Sequence, residues 1–409
     1  MKKVACAVGV YALIAGYAHA QSSVVLYGQA TANVTYANNT QSAGTSRSGR
    51  PVGGPLVAQL DDGASGLSSS RWGIKGVEDL GGGYKAIFNL EDGFNINNGA
   101  FQNGGAEFGR LAFVGLTSDS YGTFTLGRQG DTSVEFVSPL TYEWHGGNLA
   151  LHPADYDDLV FSRHLNSSLK YLSPKYGGFR FGGLYSVGGV AGSVTQDQIW
   201  SVGALYTGGA ISVAASIIDA RNPNNSFYGT NPSSSATGNN MGSPGSATAP
   251  ESNPAIAGFA SARSQRTITA AATYTVGGAI MGLEYSNAQF SGLGATPSLN
   301  TLNYSGSTTL STYGVNLRYY ITPVVVVGTS YDYTHGGNVG QKGSATYQQL
   351  NVGVGYLLSK ATELYLGGAY QRASGTDSLG RPAVAAIGYL SPSSTGKQVA
   401  ASLGIKHVF

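Results

Sequence analysis

Two-residue alternation, repeated in segments long enough to cross a membrane, limits this chain more than any other feature of it. Val24, Leu26, Ala30, Ala32, Val34 and Tyr36 fall on one face of the first segment, and Tyr27, Gln29, Thr31, Asn33 and Thr35 on the other. An apolar stripe beside a mostly polar one describes a strand with different surroundings on its two faces. The pattern returns where Trp72, Ile74 and Gly76 alternate with Arg71, Gly73 and Lys75. After the turn 78–83, Tyr84, Ala86, Phe88 and Leu90 alternate with Lys85, Ile87, Asn89 and Glu91. Further candidate strands lie at 108–116, 122–129, 167–173, 178–187, 199–207, 210–219, 265–275, 279–289, 309–320, 324–334, 346–357, 361–371 and 397–409, which makes sixteen. Sandwich strands usually stop at about 5–6 residues, and several of these are longer.

The connections alternate in length. Short ones sit at 78–83, 117–121, 174–177, 207–209, 276–278, 321–323 and 358–360. Long polar ones sit at 38–69, 92–107, 130–166, 188–198, 220–264, 290–308, 335–345 and 372–396. In lipid every backbone N–H and C=O needs a partner within the protein, so strands span only as an edgeless sheet. The expected fold is all-β, a sixteen-stranded antiparallel transmembrane β-barrel with short turns at one end and long loops at the other. The segment 220–264, rich in Asn, Ser, Gly, Pro and Ala, reads as a mobile surface loop.

Residues 1–20 read as a cleaved signal peptide. Lys2 and Lys3 precede an apolar stretch that ends in Ala18-His19-Ala20. Its removal takes away Cys6, the single cysteine, and leaves 21 basic residues against 21 acidic ones. The mature part, 21–409, is then one neutral domain without a thiol. A disulfide framework and a cysteine-based zinc site are excluded, and nucleic acid is not an expected partner. No uninterrupted apolar run reaches 18 residues after the leader, so a spanning helix is not expected.

Chemistry-bearing motifs are missing. There is no G-x-S-x-G elbow and no G-x-x-x-x-G-K-[ST] loop. His145, His152, His164, His335 and His407 have no partner at the spacing of metal ligands on a helix or hairpin. No catalytic residue, metal or cofactor is expected. What does stand out is charge. Residues 129–162 hold Asp131, Glu135, Glu143, Asp155, Asp157 and Asp158, six of the 21 acids, and no Lys or Arg. This is either a solvated acidic surface loop or an acidic lip at a pore constriction. Arg71, Lys75, Lys85 and Arg110 fall on polar faces by strand parity, whereas Arg128 falls on the apolar parity of Phe124 and Leu126 unless a bulge shifts it.

Several stretches, in order and spacing, resemble a Gram-negative general porin of the beta-proteobacterial type. They are Val25-Leu26-Tyr27-Gly28, the run from Ser70 to Gly83, Lys85 to Glu91, Arg110 to Leu116, Gly122 to Gln129 and the final Lys406-His407-Val408-Phe409. The resemblance implies a homotrimer of barrels in the outer membrane, each with its own water-filled pore. It also implies that the third long loop folds inward to narrow that pore. Glu143-Trp144-His145-Gly146-Gly147-Asn148 resembles the tip of that loop.

Analogy with the family places Arg71, Arg110 and Arg163 in a basic cluster facing the loop. Glu143, helped by Glu135 and Asp131, forms the opposite wall, and Lys85 joins the pore-facing set. The second long loop, 92–107, would latch a neighbouring subunit. Phe409, on the lipid-facing parity of the last strand, resembles the signal read by the barrel-insertion machinery. The implied function is passive diffusion of ions and small hydrophilic solutes through a barrel surrounded by outer-membrane lipid. A substrate-specific channel, a barrel hydrolase and an adhesive barrel are the alternatives.

Overall fold

The computed structural model describes residues 22–45, 51–61, 65–242, 253–338 and 342–409. The signal peptide read over 1–20 lies outside these residues. Seventeen strands form one sheet. They are β1 (Ser23–Thr45), β2 (Pro51–Asp61), β3 (Arg71–Gly81), β4 (Tyr84–Gly93), β5 (Leu111–Ser118) and β6 (Gly122–Gln129). Then follow β7 (Leu165–Leu172), β8 (Phe179–Ser186), β9 (Ile199–Gly208), β10 (Ile211–Arg221), β11 (Ser264–Val276) and β12 (Ala279–Leu293). The last are β13 (Gly306–Thr322), β14 (Val325–Gly336), β15 (Ala345–Leu357), β16 (Thr362–Gly375) and β17 (Lys397–Val408).

The sheet closes on itself, because β17 pairs antiparallel with β1, Val408 opposite Gln29 and Ala400 opposite Ala37. The strand β1 changes partner along its length. Ser23–Gln29 pair with β3, and Ala32–Thr45 pair with β2. Thus β2 and β3 share one position in the wall, and the barrel is a closed sixteen-stranded one. The strand β2 falls within 38–69, a long polar connection by sequence, because Pro51, Gly53, Gly54 and Pro55 break the alternation that would mark a strand. Among the described residues β2 pairs with β1 alone, and an edge is where proline is tolerated.

The two faces separate as the alternation requires. Val34 and Tyr36 are exposed, while Thr31, Asn33 and Thr35 between them are buried. Exposed tyrosines gather next to the short turns, as Tyr84, Tyr121, Tyr206, Tyr274, Tyr319 and Tyr356. Tyr84 and Tyr121 stack at 6.0 Å. Their amphipathic rings suit the membrane–water boundary. The turn between β11 and β12 holds only Gly277 and Gly278, and Gly277 takes φ +56°, a conformation glycine adopts without penalty.

At the other end the long connections fold over the mouth and bury apolar side chains inside it. The segment 220–264 reads by sequence as a mobile surface loop, yet its described residues pack Phe227, Tyr228, Met241, Ile256 and Phe259 against Leu165, Ile199, Phe290 and Leu310. A few apolar residues in a polar segment suffice, since each fully buried one contributes about 1.5–3 kcal/mol. The connection 376–396 likewise sends Ile387 and Leu390 against Leu149, Ala369 and Ala400.

Candidate functional site

The lumen is shaped by the connection 130–164 between β6 and β7, which runs into the barrel. At its root the Asp131 carboxylate accepts the Ser133 N–H at 2.6 Å and the Ser133 hydroxyl, just ahead of the turn Ser133–Val137. Thr132 bonds Ser216 at 2.7 Å across the lumen wall. Phe136, fully buried, lies where a β-carbon on Gly203 would sit 3.0 Å from its ring. Glycine on the inner wall is therefore what lets the loop approach. Tyr142 uses the wall in the same way, over Gly328 and Gly353.

At the tip, Glu143–Gly146 make a single helical turn. Gly147 follows at φ +77°, where a β-carbon would come 2.6 Å from the Cα of Leu67. The Asn148 N–H donates to the Gly66 carbonyl at 2.8 Å. On the return, Gln349 and Gln265 each donate at 2.9 Å to the carbonyls of Leu149 and Tyr156. The Tyr156 hydroxyl donates to Thr312 at 2.8 Å. Two of the loop's buried carbonyls are thereby satisfied by wall side chains inside the barrel.

Beside the loop lies a cavity of about 880 Å³. Its lining includes Arg71, Arg110, Arg163, Arg318 and Lys406. Arg110 Nε stands 2.7 Å from Glu91, and Arg71 Nε stands 3.8 Å from the same carboxylate, so one acid serves two guanidiniums. Lys406 meets Glu363 at 2.6 Å. Arg163 lies over the Tyr228 ring at 4.6 Å. Burial works against its charge, yet Asp155 beside it holds the guanidinium above its ordinary range. Arg318 makes no ion pair among the described residues.

The sequence-predicted residues do not all meet here. Arg71, Arg110, Arg163 and Glu143 line the cavity. The Glu143 carboxylate, 1% exposed, turns to the wall, with Oε1 2.8 Å from His152 Nε2. Asp131 is fully buried at the loop root. Glu135 pairs with Lys170 at 3.2 Å and approaches Arg180 at 4.0 Å. Lys85 is exposed at the short-turn end, opposite Asp79. Phe409 exchanges two backbone hydrogen bonds with Gly28, at 2.9 and 3.0 Å. Arg128 follows a register shift at Gly127–Gln129 and bonds the carbonyls of Gly109 and Thr230 at 2.8 and 2.9 Å. Arg318 has lumen parity in the sequence but no assigned place at the constriction, and Lys406 went unselected, although parity could have found it between Ile405 and His407.

The loop's titratable groups are perturbed by their burial. His145 is pushed down to about 4 by burial and by Arg318. His164 goes well below its ordinary value through burial and then Arg110. Both are neutral at pH 7. Burial raises Asp155 to about 6, Arg163 opposing it, and burial lifts Asp158 well above the usual carboxylate range. Burial also disfavours charge on His152, but Glu143 and Asp157 hold it well above its ordinary value. The arrangement leaves a water-accessible space whose facing charges are mostly cationic.

A family model described as Gram-negative porin matches residues 5–376. An outer membrane porin protein of Bordetella pertussis is 31% identical over 251 residues, 56% of this chain and 62% of that protein. Outer membrane porin protein 32 of Delftia acidovorans is 34% identical over 225 residues, 52% of this chain and 56% of that protein. The chain thus spans little more than half the length of these relatives. Among solved structures, the anion-selective porin from Comamonas acidovorans superposes with a TM-score of 0.63 at 20% identity, covering 95% of this chain and all of that one.

Proposed function

Starting from a chain that belongs to the Gram-negative porin family and forms an outer-membrane barrel, we propose that it is a passive diffusion channel that favours anions. The carrying observation is the uneven charge of the lumen. Five cationic side chains line the cavity against two carboxylates, Glu143 and Glu363, and Arg318 makes no ion pair among the described residues. The loop acids Asp131, Glu135 and Glu143 are hydrogen-bonded, paired or turned toward His152. A polar cleft of one sign concentrates counter-ions. Arg71, Arg110 and Arg163 form the basic wall of the constriction, extended by Arg318 and Lys406. Ions and small hydrophilic solutes cross down their gradients, with no energy source and no cofactor. The protein is a channel rather than an enzyme. It works as a homotrimer in outer-membrane lipid, delivered by the barrel-insertion machinery. The partly exposed connection 94–110, with Phe101 at its surface, is the latch to a neighbouring subunit.

Zero-current potential in planar bilayers under a salt gradient tests the proposal. The sign should be that of an anion-preferring pore. The preference should shrink between 0.1 M and 1 M salt, because the Debye length falls from about 10 Å to about 3 Å. A potential of cationic sign at low salt would overturn it.

A further inference from the structure

Between the loop tip and the wall strands β12 and β14, five ionisable residues meet, all of them buried. Glu284 on β12 stands opposite Gly314 on β13, which stands opposite Asp332 on β14. The three form one row across the wall. Gly314 has no side chain, and the row encloses a recess. A β-carbon there would clash with Oε1 of Glu284 and lie 2.7 Å from Oδ1 of Asp332. Glu143 and His152 close the recess from the loop side.

His152 is oriented by Asp157, whose Oδ2 lies 2.7 Å from Nδ1. Nε2 points at the carboxylates, 2.8 Å from Glu143 Oε1 and 4.0 Å from Asp332 Oδ1, and a cation bound there would take the place of the proton on that nitrogen. Donor atoms of Glu143, His152, Glu284 and Asp332 all lie within 4.8 Å of one another. All four side chains are more than nine-tenths buried. Among the described residues, His152 Nε2, both oxygens of Glu284 and Asp332 Oδ1 make no hydrogen bond of good geometry.

We propose that this recess binds a divalent first-row transition cation, zinc or manganese, through Glu143, His152, Glu284 and Asp332. Donor atoms around a cation held at about 2.0–2.2 Å stand roughly 3–4 Å apart, which the present spacing nearly matches. One imidazole with three carboxylates favours such an ion over calcium or magnesium, which take oxygen. The carboxylate on the far nitrogen of a ligating histidine is the usual outer support of such a site, and Asp157 supplies it. Three carboxylates brought together without water demand compensating positive charge. A cation supplies it and joins the loop, through Glu143 and His152, to two strands of the wall, β12 through Glu284 and β14 through Asp332.

The test is metal content of the detergent-purified folded protein by inductively coupled plasma mass spectrometry, before and after chelator treatment. Isothermal titration of the stripped protein with zinc, manganese, calcium and magnesium chloride follows. Expected is about one equivalent of zinc or manganese per chain, restored by titration and reduced at least tenfold in Glu284→Gln. Gly314→Ala, which fills the recess and keeps every ligand, should lose binding as well. Asp219→Asn, on a different strand pair, should keep it. Less than a tenth of an equivalent together with no titration heat from zinc or manganese would overturn the proposal. So would equal binding by calcium or magnesium, or full binding by both variants. Metal content is read without conductance, so its outcome is separate from that of the channel reading.

Discussion

Arg163 and Arg318 illustrate how much one side chain contributes to a water-filled passage. A unit charge about 10 Å away in water is worth roughly 0.4 kcal/mol, about a twofold change in local anion concentration. Arg318→Gln and Arg163→Gln should each lower the anion preference at 0.1 M salt by a factor of that order. Glu143→Gln should change it less, because that carboxylate faces His152 and the wall. Zero-current potentials for the three variants check this, and a larger effect from Glu143→Gln would refute the charge assignment. Asp155 adds a pH dependence. Burial raises its carboxyl to about 6. It lies against Arg163 and accepts from the Tyr389 hydroxyl at 2.9 Å. Protonation as pH falls through about 6 removes a negative charge beside Arg163, so anion preference should rise on acidification. Asp155→Asn should abolish that step while leaving the higher-pH preference close to the acidic limit of the parent. A pH profile identical in parent and variant would rule the role out.

The inward connection 130–164 is held at its root, middle and tip by different wall strands. Phe136 is the root's main apolar anchor, and truncating a buried phenylalanine costs about 3–5 kcal/mol where no neighbour fills the space. Phe136→Ala should leave the sheet folded and loosen the loop, giving larger and noisier single-channel currents. Current traces indistinguishable from the parent would show that the root does not hold the passage. The strands were legible because the membrane and the lumen impose opposite demands on alternate residues, and β1, β3 and β17 carry that alternation plainly. The strand β2 was not, since its prolines and glycines hide an edge that is set by pairing with β1. The packing of Phe227, Met241 and Ile256 was hidden by the Asn, Ser and Gly around them. The grouping of His152 with Glu284 and Asp332 had no sequence signal, because residues 132 and 180 positions apart meet only through barrel closure. Arg71, Arg110 and Arg163 were found through resemblance and parity, whereas the inward turn of the Glu143 carboxylate depends on His152 and could not be read along the chain.

For the whole molecule, closure is the decisive event, since the sheet has open edges until β17 reaches β1. Phe409 exchanges hydrogen bonds with Gly28, and its ring covers the place a β-carbon on Gly28 would occupy, at 2.6 Å. Deleting Phe409 should therefore lower the amount of heat-modifiable folded protein in the outer membrane, both through the lost seam contact and through the lost recognition signal. Equal folded amounts would count against both. The partner change of β1 has a wider consequence. Ahead of β3, residues 65–70 lie inside the wall, with Ser65 and Ser70 bonded to Thr35 and Thr31. The loop tip rests on this ledge through Gly66 and Leu67. The bore is then set like the aperture of a diaphragm, by two blades that meet, and not by the circumference of the frame. Lengthening or shortening the ledge would move one blade while every strand kept its register, so a lineage could retune what passes without rebuilding the barrel.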